Sequence, residues 1–163
     1  MHCILAIVVI ILSYFKADWK NWENYYPTML YISVASFIYE FISHSHFHLW
    51  ELEKGLLNLM GVHLVHNIVI NPLIGFMFLS NYPSNLRDRI FYYAKWMVLF
   101  WAAEWLASRF HFITYHNGWN IWWSFLFVAI MFPMIRLHYT HKLRALTLSV
   151  LIAALYLFLF DYL

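Results

Sequence analysis

Residues 119–137 read WNIWWSFLFVAIMFPMIRL, and this stretch decides the fold. Seventeen residues pass before its first charged side chain, Arg136. The hydrocarbon core of a bilayer is about 30 Å thick, so a helix needs roughly 20 mainly apolar residues to cross it. The stretch therefore predicts a transmembrane helix. Pro133 predicts a kink near its end, because proline cannot donate the helical hydrogen bond. Asn120 or Asn117 is available to cap its start.

Five more apolar runs of comparable size are bounded by charged or turn-forming residues. They cover residues 2–15, 28–47, 57–79, 91–109 and 146–162. Together the six runs predict an all-α integral membrane helical bundle that forms one domain over residues 1–163. The first run has about 14 residues and would extend only about 21 Å as a helix. The bundle thus has six transmembrane helices, or five if residues 2–15 lie on the membrane surface.

The composition indicates that lipid is the solvent of this chain. Of its 163 residues, 64% are apolar, 22% are aromatic and only 11% are charged. A water-soluble domain carries about 25% charged residues. The net charge is only +2 and the basic residues are scattered, so we expect no nucleic-acid partner. The run at 2–15 lacks a basic leader and a small-residue cleavage site, so we expect it to be retained.

The distribution of Lys and Arg predicts the orientation. Counted by alternate loops, one side carries eight of these residues: Lys16, Lys20, Arg87, Arg89, Lys95, Arg136, Lys142 and Arg144. The other side carries Lys54 and Arg109. Loops rich in Lys and Arg stay in the cytoplasm. We therefore predict a multi-pass plasma-membrane protein with residues 81–90 inside and residues 48–56 and 110–118 outside.

Polar side chains interrupt three of the apolar runs. Such groups are costly in lipid and face a partner, a cavity or the bundle interior. The second run carries Glu40 and His44, with His48 at its edge; the third carries His63, His66, Asn67 and Asn71; the fourth carries Glu104 and Ser108, with His111 beyond. By the predicted topology these stripes lie at similar depth, mostly in the outer half of the membrane.

The histidines and glutamates of these stripes are candidate metal or proton ligands. Imidazole and carboxylate groups together bind zinc, copper or iron, and histidine also exchanges protons near neutral pH. We predict a site made of Glu40, His44, His63, His66 and Glu104. The alternative is that these side chains only hydrogen-bond between helices and fix their packing. The sequence leaves both interpretations open.

An enzymatic interpretation is a lesser alternative. His63-x-x-x-Asn67, taken with Glu40 or Glu104, weakly resembles the Glu/His/Asn sets of intramembrane CAAX-type proteases. The paired-glutamate motif that ends in arginine is missing. We therefore favour a protein without catalytic activity.

Two stretches, DWKNWENYYPTMLY at 18–31 and HNGWNIWWSFLFVAIMFPMIRLHY at 116–139, carry a family resemblance. They are similar to signatures of a family of small integral membrane proteins, without an assigned activity, from spore-forming Gram-positive bacteria. The resemblance implies a bacterial plasma-membrane protein of five or six helices, and it implies no reaction. It leaves open a purely structural role, as a homo-oligomer or as an accessory subunit of an envelope or spore-membrane complex.

Overall fold

A computed structural model describes residues 2–52 and 59–159 of the chain. Within these ranges it describes every side chain except those of residues 44–46 and 59. The predicted ligand His44 is among the exceptions. Its side chain, and Lys54 of the predicted outer loop, lie outside the described residues.

The described chain is all-α apart from one short ribbon. Its helices are α1 (His2–Lys16), a single 3₁₀ turn (Trp19–Asn21), α2 (Trp22–Glu40), α3 (Leu59–Val65), α4 (Asn71–Ser80), α5 (Leu86–Arg109), α6 (Ile121–Thr140) and α7 (Lys142–Leu159). The first π turn (Phe41–His46) follows α2 without a break, and the second π turn (His66–Ile70) joins α3 to α4.

Each of the six predicted apolar runs contains helix. Within the described ranges, three helical stretches are long and apolar enough to cross a membrane, namely Met60–Ser80, Ile121–Thr140 and Lys142–Leu159. A fourth crossing exists if His2–Lys16 and Trp19–Ser43, which meet at an angle of 87°, form one broken span. These assignments rest on length and composition, so the number of six crossings stays a prediction.

The two strands are the elements that the sequence analysis did not predict. Strand β1 (Trp50–Leu52) pairs antiparallel with β2 (Ile113–Tyr115), so that Trp50 faces Tyr115. The backbone N–H of His116 donates to the Leu49 carbonyl at 2.8 Å and extends the pairing. Strands of three residues carry almost no periodic signal, and their pairing joins segments more than 60 residues apart. We call this end of the fold the ribbon end.

The opposite end collects the basic loops. The Asn81 side chain donates to the Lys16 carbonyl at 2.7 Å, which ties the end of α1 to the end of α4. The Arg136 guanidinium lies 4.3 Å from the centre of the Tyr82 ring. Tyr139 in α6 stacks on Tyr25 in α2, with ring centres 5.2 Å apart. We call this the basic end.

The packing between the two ends depends on aromatic side chains and one close helix approach. Phe78 and Phe132 are fully buried, and their ring centres lie 4.9 Å apart between α4 and α6. Ile32 of α2 lies directly over Gly75 of α4, where a Cβ would overlap the isoleucine side chain. Glycine at this position lets α2 and α4 approach each other closely, as small residues do in membrane helix pairs.

The start of α6 agrees with the cap that the sequence suggests. The Asn120 side chain accepts hydrogen bonds from the backbone N–H groups of Trp122 at 2.9 Å and Trp123 at 3.4 Å. Asparagine is among the best residues for this position, because its oxygen satisfies N–H groups that have no helical partner. Of the two candidates, Asn117 and Asn120, the structure selects Asn120.

Candidate functional site

The polar side chains of α2 and α3 meet where both helices change their winding. Glu40 is the last residue of α2, immediately before the first π turn, and Asn67 lies within the second π turn. Well under 1% of residues in proteins adopt π-helix, and single π turns are frequent at functional sites. Two of them beside one buried carboxylate mark this place as the candidate site.

Glu40 is 9% exposed and both of its carboxylate oxygens have partners. The imidazole Nδ1 of His63 is hydrogen-bonded to Oε1, and the amide of Asn67 donates to Oε2. A buried charge without such partners would cost several kcal/mol. The two neighbours therefore hold the Glu40 carboxylate inside the protein.

A second layer of hydrogen bonds extends from Asn67 toward the middle of the bundle. The Asn71 side chain donates to Asn67 Oδ1 at 3.4 Å and to the Ser36 hydroxyl at 3.2 Å. The five connected side chains, which we call the Glu40 cluster, are Ser36, Glu40, His63, Asn67 and Asn71. They come from α2, α3, the second π turn and α4.

His66 has a different partner from the one that the sequence analysis predicts. Its Nε2 lies 3.0 Å from Nδ1 of His2 at the start of α1. The two rings meet edge to face, with centres 5.1 Å apart. Two imidazole nitrogens at hydrogen-bond distance share one proton, which one ring donates and the other accepts. The predicted site does not include His2.

Glu104 belongs to a separate contact at the ribbon end. The Tyr115 hydroxyl donates to Glu104 Oε1 at 2.8 Å. Burial, followed by the charge of the Glu104 carboxylate, raises the pKa of the Tyr115 phenol. The phenol thus stays protonated and keeps its hydrogen bond over the ordinary pH range.

Four of the five predicted site residues therefore lie in three hydrogen-bonded contacts in the described chain. Glu40 and His63 are bonded to each other, His66 is bonded to His2, and Glu104 is bonded to Tyr115. Within residues 2–52 and 59–159, no three His, Cys, Asp or Glu side chains are arranged to hold a metal ion. With the His44 side chain outside the description, the metal site stays a prediction.

A second polar cluster lies toward the basic end. His138, on α6, is 5% exposed and its Nδ1 is 3.0 Å from the hydroxyl of Thr28. Tyr31 stacks on the His138 ring at 4.1 Å, nearly parallel at 7°, and its hydroxyl is 2.7 Å from that of Ser149. The sequence analysis did not include His138 in the predicted site.

The spacing of polar residues on α2 is the sequence feature from which both clusters could have been predicted. Thr28, Ser36 and Glu40 all fit a repeat of four residues, which places them on one helix face. His138 carries no such signal, because it lies in a basic segment that looks like an ordinary membrane boundary.

Comparison with known proteins adds no identification. No protein-family model, no curated protein and no solved structure matches this chain. The family resemblance of residues 18–31 and 116–139 stays a prediction. The function is inferred from the contacts and burial of the side chains described above.

Proposed function

We propose that the chain is a multi-pass protein of a bacterial plasma membrane that binds and releases protons at the Glu40 cluster. The observation that carries the proposal is the position of Glu40. It is a buried carboxylate next to the first π turn, bonded to the imidazole of His63 in α3 and to the amide of Asn67 in the second π turn. Ionisable groups inside transmembrane helices are rare and typically serve ion or proton pathways.

The exposed side chains support the membrane location. In α7 only Ala145 is buried, while Val150, Leu151 and Phe158 are 69%, 59% and 69% exposed. Soluble monomers rarely expose contiguous apolar patches of more than a few hundred Å². Lipid is the partner that covers the exposed apolar faces of such a helix. Six helices then cross the bilayer, with α1, α2 and α5 joining the three stretches that meet the length and hydropathy criteria.

The arrangement of the loops supports the orientation. The ends of α1, α4 and α6 meet at the basic end, where Lys16, Arg89 and Arg136 lie. The ribbon joins the loops that the charge count places outside. By the positive-inside rule the basic end faces the cytoplasm, and the Glu40 cluster is nearer the outer surface.

A transition metal is the alternative occupant of the same region. The nitrogens of His2 and His66 are 3.0 Å apart. This is close to the separation of about 3.3 Å that two ligands have on one tetrahedral zinc with Zn–N bonds of about 2.0 Å. In the described chain Glu40 and His63 bond to each other instead of joining this pair. Proton binding requires no rearrangement, so we prefer it.

A hydrolytic site is the second candidate function, favoured by one observation. Glu40, His63 and Asn67 do come together, as the weak resemblance to intramembrane proteases requires. A hydrolytic glutamate has to hold a water molecule, whereas each oxygen of Glu40 accepts a bond from a side chain. Cleavage of labelled membrane peptides by wild type but not by Glu40→Gln would establish this activity and displace our proposal.

Infrared spectroscopy of the purified protein in lipid tests proton binding directly. As the pH is lowered, we expect the carbonyl stretch of a protonated carboxylic acid to appear. We expect the component of this band that comes from Glu40 to be missing from Glu40→Gln and retained in Glu51→Gln, because Glu51 is exposed on β1. If the bands of wild type and Glu40→Gln are the same at every pH, Glu40 does not titrate. The network would then be structural, as in an accessory or scaffold subunit.

A further inference from the structure

One face of α2 carries both polar clusters and a single apolar residue between them. Thr28, Ile32, Ser36 and Glu40 recur every four residues, so they lie in one row along the helix. Thr28, Ile32 and Glu40 are buried, at 1%, 6% and 9% exposure. Neighbours in the row are about 6 Å apart along the helix axis. The row therefore runs through the bundle from the basic end to the first π turn.

The outer part of the row is continuous in hydrogen bonds. His63 and Asn67 bond to Glu40, and Asn71 links Asn67 to Ser36. A proton that arrives at the ribbon end thus meets an imidazole and a carboxylate, and the amides of Asn67 and Asn71 connect that carboxylate to the Ser36 hydroxyl. This connection ends at Ser36.

The inner part of the row has polar contacts of its own. Thr28 bonds to His138, and Tyr31, which stacks on the His138 ring, bonds to Ser149 of α7. Arg136 lies two positions before His138, and Lys142 lies four positions beyond it at the start of α7. A titratable imidazole therefore stands at the basic end.

Between the two parts stands Ile32. Its side chain lies against Gly75 of α4 and packs with Phe78 and Phe132. Ser36 and Thr28 are about 12 Å apart along the axis, and this apolar contact fills the interval. One residue thus separates the two hydrogen-bonded networks.

We propose that this face of α2 is a proton path across the bundle, held closed in this structure by Ile32 against Gly75. A proton enters at His63 and Glu40, passes Ile32 when the contact opens, and leaves through His138 to the basic end. At each transfer an O–H or N–H bond breaks on the donor as one forms on the acceptor, so one proton and its charge cross and each group returns to its starting form. The path rests on the membrane location and the proton binding proposed above.

The test measures proton entry into liposomes that contain the full chain and a pH-sensitive dye, driven by a potassium diffusion potential. Ile32→Thr places a hydroxyl between Ser36 and Thr28 and should raise the rate at least about tenfold, which corresponds to about 1.4 kcal/mol in the barrier. Ile38→Thr is the matched control, because Ile38 is on the same helix and 53% exposed. It should leave the rate at that of wild type.

Two further variants separate a polar path from a simple defect. Ile32→Val has the shape of threonine without the hydroxyl, and we expect a much smaller increase. Glu40→Gln introduced into Ile32→Thr should return the rate to that of wild type. If Ile32→Thr does not accumulate in the membrane, Ile32→Cys replaces it, because a thiol is small, weakly polar and tolerated in apolar cores.

The outcomes are decisive in both directions. An unchanged rate in folded Ile32→Thr overturns the path, as does equal leakage from Ile32→Val or Ile38→Thr, or a leak that survives Glu40→Gln. Infrared spectra of the same liposomes separate the two proposals. If the Glu40 band titrates but Ile32→Thr leaves the rate of proton entry unchanged, only the path is rejected. If the Glu40 band is absent, proton binding at Glu40 is rejected.

Discussion

Glu40 and His63 are 23 residues apart in the chain and hydrogen-bonded to each other inside the bundle. Glu40 ends α2, and His63 lies in α3, three residues before the second π turn. The pair therefore joins two helices at the places where each one changes its winding.

The Glu40–His63 contact should contribute to stability as a pair. Glu40→Gln and His63→Ala should each lower the free energy of unfolding by about 1 kcal/mol, the usual size of a polar contact between membrane helices. Because the residues touch, the double variant should lose less than the sum of the single losses. Thermal unfolding in detergent measures all three, with the exposed Glu51→Gln as the control. Strictly additive losses would mean that the two side chains do not interact.

The Tyr115–Glu104 bond predicts a difference in alkaline stability. The pKa of Tyr115 in the folded protein lies above the ordinary value of 10.0 for tyrosine. The hydrogen bond therefore contributes its full stabilisation below pH 10, and this stabilisation is lost as the pH rises further. Tyr115→Phe should lose stability at neutral pH and fall less steeply above pH 10. Unfolding temperatures between neutral and strongly alkaline pH give the comparison. Tyr14→Phe is the control, because Tyr14 is 73% exposed. Parallel curves for wild type and Tyr115→Phe would contradict the assignment.

The cap of α6 should be replaceable by another acceptor. Asn120→Ala removes the bonds to the N–H groups of Trp122 and Trp123 and should cost about 1 kcal/mol. Asn120→Ser keeps a side-chain oxygen and should recover most of that loss. Equal unfolding temperatures for the alanine and serine variants would show that the cap contributes nothing.

The orientation can be read with single cysteines on a Cys3→Ser background. Positions 51, 85 and 117 are exposed and lie at the two ends of the fold. In intact cells an impermeant thiol reagent should label positions 51 and 117 but not position 85, which should react only after the cells are opened. Labelling of position 85 alone in intact cells would invert the proposed topology.

Binding of a transition metal, if one binds, should depend on the histidine and glutamate side chains that contact each other. His63→Ala, His66→Ala and Glu40→Gln should each abolish tight binding, as the sequence interpretation predicts. The structure adds His2→Ala to this set, because His2 pairs with His66. Elemental analysis and zinc titration of purified protein measure the effect, with His111→Ala as a control outside these contacts. Protein that carries no metal and binds none at micromolar concentration would leave proton binding as the function of these residues.

The sequence by itself determined the helical segments, because that information is local. A run of about 20 apolar residues must satisfy its backbone hydrogen bonds within the segment, and helix is the simplest way to do so. The runs at 91–109 and 119–137 therefore appear as α5 and α6, although α5 begins earlier, at Leu86, and includes the charged turn at Arg87–Arg89. The cap at Asn120 was equally local, since it depends on one side chain and the next three residues.

Only the tertiary structure decided which polar side chains meet. A helical repeat places Glu40, His66 and Glu104 on faces of their own helices, but it does not specify how those helices are rotated against each other. The two π turns add to this, because each inserts a residue into a turn and shifts the faces that follow. Glu40 thus meets His63 and Asn67, His66 meets His2, and Glu104 meets Tyr115. For the same reason the contacts of His138 could not be predicted, because its partners Thr28 and Tyr31 lie more than 100 residues away in the chain.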